Sequence, residues 1–126
     1  RAMALMRLER YEGEAIDEMI RTAVADEAWQ VRSFAIRQAK RHSTQLDPAL
    51  FEKEEDPRVI RAALRYEFPM PAERVRAIVN QLFSEKNFDA LVLGIEIAAY
   101  SDDEVVRMEG ARLHRRLGWT NARPYA

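Results

Sequence analysis

Apolar residues recur at intervals of three and four along almost the whole chain, and this spacing constrains the fold more than any other feature. One such series consists of Ile16, Met19, Ile20, Ala23 and Val24. Residues at these intervals share one face of an α-helix. No segment alternates apolar and polar residues for long enough to predict a β-strand. The spacing therefore predicts an all-α protein.

Capping signals divide this pattern into seven to eight predicted helices. Asp47 and Asp56 each precede a proline, which places a capping carboxylate before the first helical position. Ser101 and Glu104 have the spacing of a capping box, in which each satisfies a free backbone N–H. We expect neighbouring helices to form antiparallel hairpins and residues 118–126 to form an irregular tail. The predicted helices lie near residues 2–11, 14–25, 28–42, 48–54, 57–67, 71–84, 87–100 and 103–117.

The composition limits the classes of protein that fit. The chain has 126 residues, 20 Lys and Arg against 21 Asp and Glu, and no cysteine, which excludes disulfides and cysteine nucleophiles. The length fits a single domain spanning residues 1–126. No apolar stretch approaches the ~18 residues of a membrane span and none resembles a secretory leader, so we expect a cytoplasmic protein that does not bind membranes. Residue 1 is Arg, so we also expect a fragment, a trimmed chain or a disordered start.

Three of the predicted helices begin with a similar pattern. A valine is followed four residues later by a small residue in Val31 and Ala35, Val59 and Ala63, and Val106 and Gly110. The two members of each pair lie on one helical face and let a neighbouring helix approach closely. The valines are 28 and 47 residues apart, and intervals of this order indicate an irregular helical solenoid.

These segments resemble HEAT-type repeats, whose second helix opens as Asp-Pro-x-Val-Arg-x-x-Ala. The nearest match begins at Asp56-Pro57-Arg58-Val59, although Ile60 stands where the pattern has Arg. The resemblance implies a short α-solenoid of antiparallel helical hairpins, in which the second helices line a concave surface.

Charge is distributed unevenly between the two helices of each predicted hairpin. The second helices, at 28–42, 57–66 and 103–117, have a combined net charge of +8. The segments that precede them, at 12–27, 47–56 and 85–102, have a combined net charge of −12. Arg58, Arg61 and Arg65 fall on one helical face with no acidic residue between them. The HEAT-like resemblance therefore implies a basic concave face.

This charge has two interpretations, and both stay open at the level of sequence. In the first, Arg32 and Arg107 form the structural ladder of such repeats, and the other cations stabilise helix C-termini. In the second, the basic face binds an anionic partner, either an acidic protein segment or nucleic acid. The candidate binding residues are then Trp29, Arg32, Arg37, Arg58, Arg61, Arg65 and Arg107.

The sequence contains no pattern typical of a catalytic or metal site. His42 and His114 are the only histidines, and neither has a carboxylate or a second histidine at ligand spacing on a helix. No serine has the context of a nucleophile elbow. We therefore expect no metal and no cofactor. The leading hypothesis is a non-enzymatic scaffold or interaction module that binds a partner protein on a basic concave face.

A weaker resemblance supplies the alternative function. Residues 28–37 and 56–61 are similar to repeats of the HEAT-like DNA alkylation-repair glycosylases, which bind duplex DNA on a basic concave face. This similarity implies DNA contacts at Trp29, Arg32, Arg37, Arg61 and Arg65, but no position matches the catalytic acid of that family. The alternative is a DNA-binding protein or a relative of those glycosylases. HEAT-like repeats also occur in bilin lyases of phycobiliproteins, and no residue here selects that function.

Overall fold

The computed structural model describes residues 13–117, which contain helices and no strand. The seven helices of this part of the chain are α1 (Gly13–Ala23), α2 (Trp29–His42), α3 (Ala49–Glu52), α4 (Pro57–Arg65), α5 (Ala72–Ser84), α6 (Phe88–Tyr100) and α7 (Glu104–Arg116). The all-α prediction is confirmed here, and each helix begins and ends within two residues of its predicted position. The predicted helix at 2–11 and the tail at 118–126 lie outside the described residues.

Contacts divide the chain into two compact units, Arg1–Phe68 and Pro69–Ala126. In the first unit, α2 packs against both α1 and α4. In the second unit, α6 packs against both α5 and α7. Each unit therefore has a central helix that buries apolar side chains on two neighbours.

The core of the first unit is built from isoleucine and alanine. Ile20, Ala35, Ile60 and Ala63 are completely buried. Ile60 occupies the position at which the HEAT pattern has Arg, and this position faces the core. A guanidinium there would be removed from water without a charged partner, which is strongly unfavourable.

Aspartate side chains cap the helices that follow the two Asp-Pro sequences. The Oδ1 atom of Asp56 accepts a hydrogen bond from the backbone N–H of Arg58 at 2.9 Å. The Oδ1 atom of Asp47 accepts one from the N–H of Ala49 at 3.0 Å. Both predicted caps are confirmed, and each satisfies a donor that has no partner within its own helix.

The predicted capping box at Ser101 and Glu104 is wrong. Asp103 is the N-cap of α7, because its Oδ1 atom accepts from the N–H groups of Val105 at 2.9 Å and Val106 at 3.3 Å. The Ser101 hydroxyl instead accepts from the N–H of Asp103 at 3.0 Å. The aspartate is the residue directly before the first helical turn, so its carboxylate reaches the free N–H groups of that turn.

Gly110 allows α6 and α7 to approach closely. A Cβ atom added to Gly110 would lie 2.6 Å from the Cβ atom of Ala98 on α6. Contacts this short do not occur between real Cβ atoms, so any larger residue forces the two helices apart. The prediction that a small residue at this position lets a neighbouring helix approach is confirmed.

We predict that Gly110→Ala lowers the free energy of unfolding by about 1–3 kcal/mol, because the added methyl overpacks the contact between α6 and α7. Urea denaturation followed by circular dichroism measures the change. Gly13→Ala is the matched control, since an added Cβ there has no neighbour within 4 Å. Equal stability of the two variants would contradict the close packing at Gly110.

Candidate functional site

A groove between α2 and α4 brings together most of the predicted binding residues. Its volume is about 220 Å³. One wall belongs to α2, and the other to α4 and the residue that follows it. The lining consists of Trp29, Ser33, Phe34, Arg37, Arg58, Arg61, Ala62, Arg65 and Tyr66. We call this feature the arginine groove.

The arginines reach the groove because of their helical spacing. Arg58, Arg61 and Arg65 are three and four residues apart, so they share the face of α4 that is turned to α2. Arg37 approaches from α2, two turns after Trp29. Arg37, Arg58 and Arg65 are exposed, and Arg61 is half-buried. The lining therefore carries four positive charges and no carboxylate.

Arg58 is held in place at one end of the groove by two groups. Its guanidinium carbon lies 3.9 Å from the centre of the Trp29 ring, a cation–π contact. Its Nε and Nη2 atoms also donate to the Asp56 carboxylate at 3.0 and 2.8 Å. The bond to Arg58 holds the pKa of Asp56 below its ordinary value, so this pair and the α4 cap stay formed until the pH falls below the usual range of aspartate.

A second contact between an arginine and an aromatic ring lies at the other end of the groove. The guanidinium carbon of Arg65 is 5.7 Å from the centre of the Tyr66 ring. This distance is within the range of cation–π attraction. The groove thus combines guanidinium groups with aromatic walls at both ends.

Arg32 does not line the groove and is instead bound internally. Its Nε and Nη2 atoms donate to the Glu54 carboxylate at 2.8 and 3.1 Å. Its Nη1 atom donates to the backbone carbonyls of Asp26 at 2.9 Å and Glu27 at 2.8 Å. Only 18% of the Arg32 side chain and 11% of the Glu54 side chain are exposed. Arg32 is therefore bound within the fold, to an acidic side chain and two backbone carbonyls of neighbouring turns.

Arg107 makes a similar bond in the second unit. Its Nη1 atom donates to the carbonyl of Ser101 at 2.9 Å. Arg32 likewise reaches a carbonyl six residues back, that of Asp26, and both arginines directly follow a valine of the repeated pattern. Of the seven predicted binding residues, five line the groove, while Arg32 and Arg107 do not.

Sequence reasoning did not assign Ser33, Phe34 and Tyr66 to the site. Tyr66 lies one turn beyond Ala62 at the C-terminal end of α4, whereas one turn beyond Arg65 the sequence has Phe68 and Pro69. Phe68, two residues later, turns to the core and packs on Phe51 with ring centres 5.7 Å apart. The two aromatic residues after α4 therefore have different surroundings, which their spacing alone does not reveal.

Comparison with known proteins gives no match: no family model fits the chain, and no curated protein or solved structure is significantly similar to it. Between residues 13 and 117, no three His, Asp or Glu side chains are arranged to hold a metal ion. No helix in this same range is long and apolar enough to cross a membrane.

We predict that Arg32→Ala lowers the free energy of unfolding by about 2–4 kcal/mol, because it leaves the mostly buried Glu54 carboxylate without its guanidinium partner. Arg41→Ala is the matched control on α2. Arg41 is exposed and forms no ion pair among residues 13–117, so the expected loss is below about 1 kcal/mol. Chemical denaturation of both variants measures the difference. Similar losses of stability in the two variants would show that the pair between Arg32 and Glu54 contributes no more to the free energy of unfolding than an exposed charge does.

Proposed function

We propose that this chain is a non-enzymatic interaction module that binds an acidic segment of a partner protein in the arginine groove. One observation carries the proposal: four arginines from two facing helices line the groove, and no carboxylate lies among them. Guanidinium groups bind carboxylates in a planar, two-bond geometry. A segment rich in Asp or Glu matches this lining.

Two of the groove arginines, Arg37 and Arg65, have little role in holding the fold. Arg37 and Arg65 are exposed, and neither forms an ion pair within the described range 13–117. Like charges on neighbouring helical turns repel one another and lower stability. Such a row is favourable when a ligand supplies the opposite charge, and this supports a binding role.

The surroundings of the groove favour a protein segment over duplex DNA. In an adjoining cavity the carboxylates of Glu54, Glu55 and Asp56 balance three basic residues, so the positive charge of the groove does not continue there. The chain as a whole has a net charge of −1. The continuous phosphate backbone of a duplex would extend from the groove toward these carboxylates. One face of Trp29 is already covered by Arg58, so that face is closed to a stacked base. A short acidic segment needs only the groove itself.

We also propose that the helices form a HEAT-like stack of hairpins. Two features support this arrangement: the equivalent backbone bonds of Arg32 and Arg107, and the burial of the small residues Ala35, Ala63 and Gly110 in the repeated pattern. In such a stack, neighbouring second helices form a shared binding surface. The arginine groove lies between α2 and α4, which this arrangement makes consecutive second helices.

We predict that a short fluorescent peptide of alternating Glu and Ala binds the protein and that its affinity falls as salt rises. Fluorescence anisotropy measures the binding. Arg37→Glu should weaken it by about tenfold or more, because it replaces a donor to the ligand with a repelling charge. Arg116→Glu makes the same charge change outside the groove lining. The affinity of this variant for the peptide should stay within about twofold of that of the unsubstituted protein.

The same assay includes a short labelled DNA duplex. Tighter binding of the duplex than of the peptide, with a steep loss at higher salt, would contradict the protein-binding proposal. That result would favour the alternative of a DNA-binding protein or a relative of the repair glycosylases. Absence of peptide binding at low salt would also contradict the proposal.

A further inference from the structure

We infer that the arginine groove recognises a phosphorylated side chain in the partner segment. This inference rests on the proposed function, because it specifies the chemistry of the segment that the groove binds.

The number of guanidinium groups exceeds what one carboxylate can use. Arg58 is already bound by Asp56 and lies on Trp29. Arg37 on one wall and Arg61 and Arg65 on the other also line the groove. A single guanidinium fork bonds to both oxygens of a carboxylate and leaves lone pairs for about one further arginine. A phosphate monoester has three acceptor oxygens and a charge of about −1.5 to −2, so it can bond to arginines from both walls at once.

Ser33 supplies a further donor in the same groove. Its Oγ atom is buried and has no hydrogen-bond partner among residues 13–117. A helical serine often donates to the carbonyl four residues earlier, but Ser33 forms no such bond. Ser33 lies one turn after Trp29 and one turn before Arg37 in the α2 wall. Rotation of the Ser33 side chain about χ1 would be needed to turn this hydroxyl to the groove, where an oxygen of a bound phosphate would accept from it and remove the cost of leaving it unsatisfied.

The size and walls of the groove fit a side chain. The volume of about 220 Å³ is small, and the aromatic residues Trp29, Phe34 and Tyr66 form part of its lining. Apolar walls exclude water from part of the site, which strengthens charge-assisted hydrogen bonds. A phosphorylated residue would place its phosphate at the arginines and its carbon atoms against the rings.

The test uses three fluorescent peptides of Ala and Glu that differ only in the central residue, which is phosphoserine, glutamate or serine. Anisotropy with the full chain should show the phosphoserine peptide binding about tenfold more tightly than the glutamate peptide. Arg37→Lys should remove most of this preference, because an ammonium keeps the charge and loses the planar fork.

Ser33→Ala separates a ligand contact from a structural role. It should weaken the phosphoserine peptide by about fivefold to tenfold and leave the glutamate peptide unchanged. Unfolding of Ser33→Ala by urea should show no loss of stability, since the hydroxyl has no partner in the fold. Ser84→Ala is the matched control, because the Ser84 hydroxyl is satisfied by the Gln81 carbonyl at 2.7 Å and lies outside the groove.

Three outcomes would contradict the inference. Equal affinity for the phosphoserine and glutamate peptides would leave the proposed function intact and show that the groove reads carboxylates. Absence of binding by all three peptides would contradict both the proposed function and the recognition of a phosphorylated side chain. Tighter binding of a short single-stranded oligonucleotide than of the phosphoserine peptide would assign the groove to nucleic acid.

Discussion

The bond between Arg32 and Glu54 is the interaction on which the groove depends. The Arg32 guanidinium holds two carbonyls of the turn before α2 and the carboxylate of Glu54 in the turn before α4. Glu54 also accepts from the backbone N–H of Asp56, the residue that caps α4. One guanidinium thus fixes the starts of both helices. The walls of the groove are the helices that these two turns begin, so their spacing follows from this bond.

The same bonds explain why the groove is basic in a chain whose net charge is −1. Two acidic residues in the turn before α4 are already engaged: Glu54 with Arg32, and Asp56 with Arg58 and with the first turn of α4. Neither is among the groove lining. With these carboxylates paired internally, Arg37 and Arg65 have no acidic partner among residues 13–117. The protein therefore concentrates positive charge locally without an excess of basic residues overall.

Much of the local structure could be predicted because short-range physics determines it. Helical spacing and the capping carboxylate of Asp56 depend on neighbours within one turn, and Gly110 can be recognised as a close-contact position from its place in the repeated pattern. The cap of α7 could not be predicted, since Ser101 and Asp103 are both N-cap residue types and the backbone before the helix decides which of them directly precedes its first turn. The groove position of Tyr66 depends on where the chain leaves α4. The division into two compact units depends on long-range contacts that periodicity does not report.

Under the proposed function, Arg32 stabilises the fold while Arg37 and Arg65 contact a ligand. The most direct test is the free energy of unfolding, from urea denaturation, of the double variant Arg37→Gln and Arg65→Gln. We expect stability within about 0.5 kcal/mol of the parent or slightly above it, because two unpaired like charges are removed from an exposed row. A loss of about 2 kcal/mol or more, comparable to that expected for a buried ion pair, would show that these arginines hold the fold and would contradict the account.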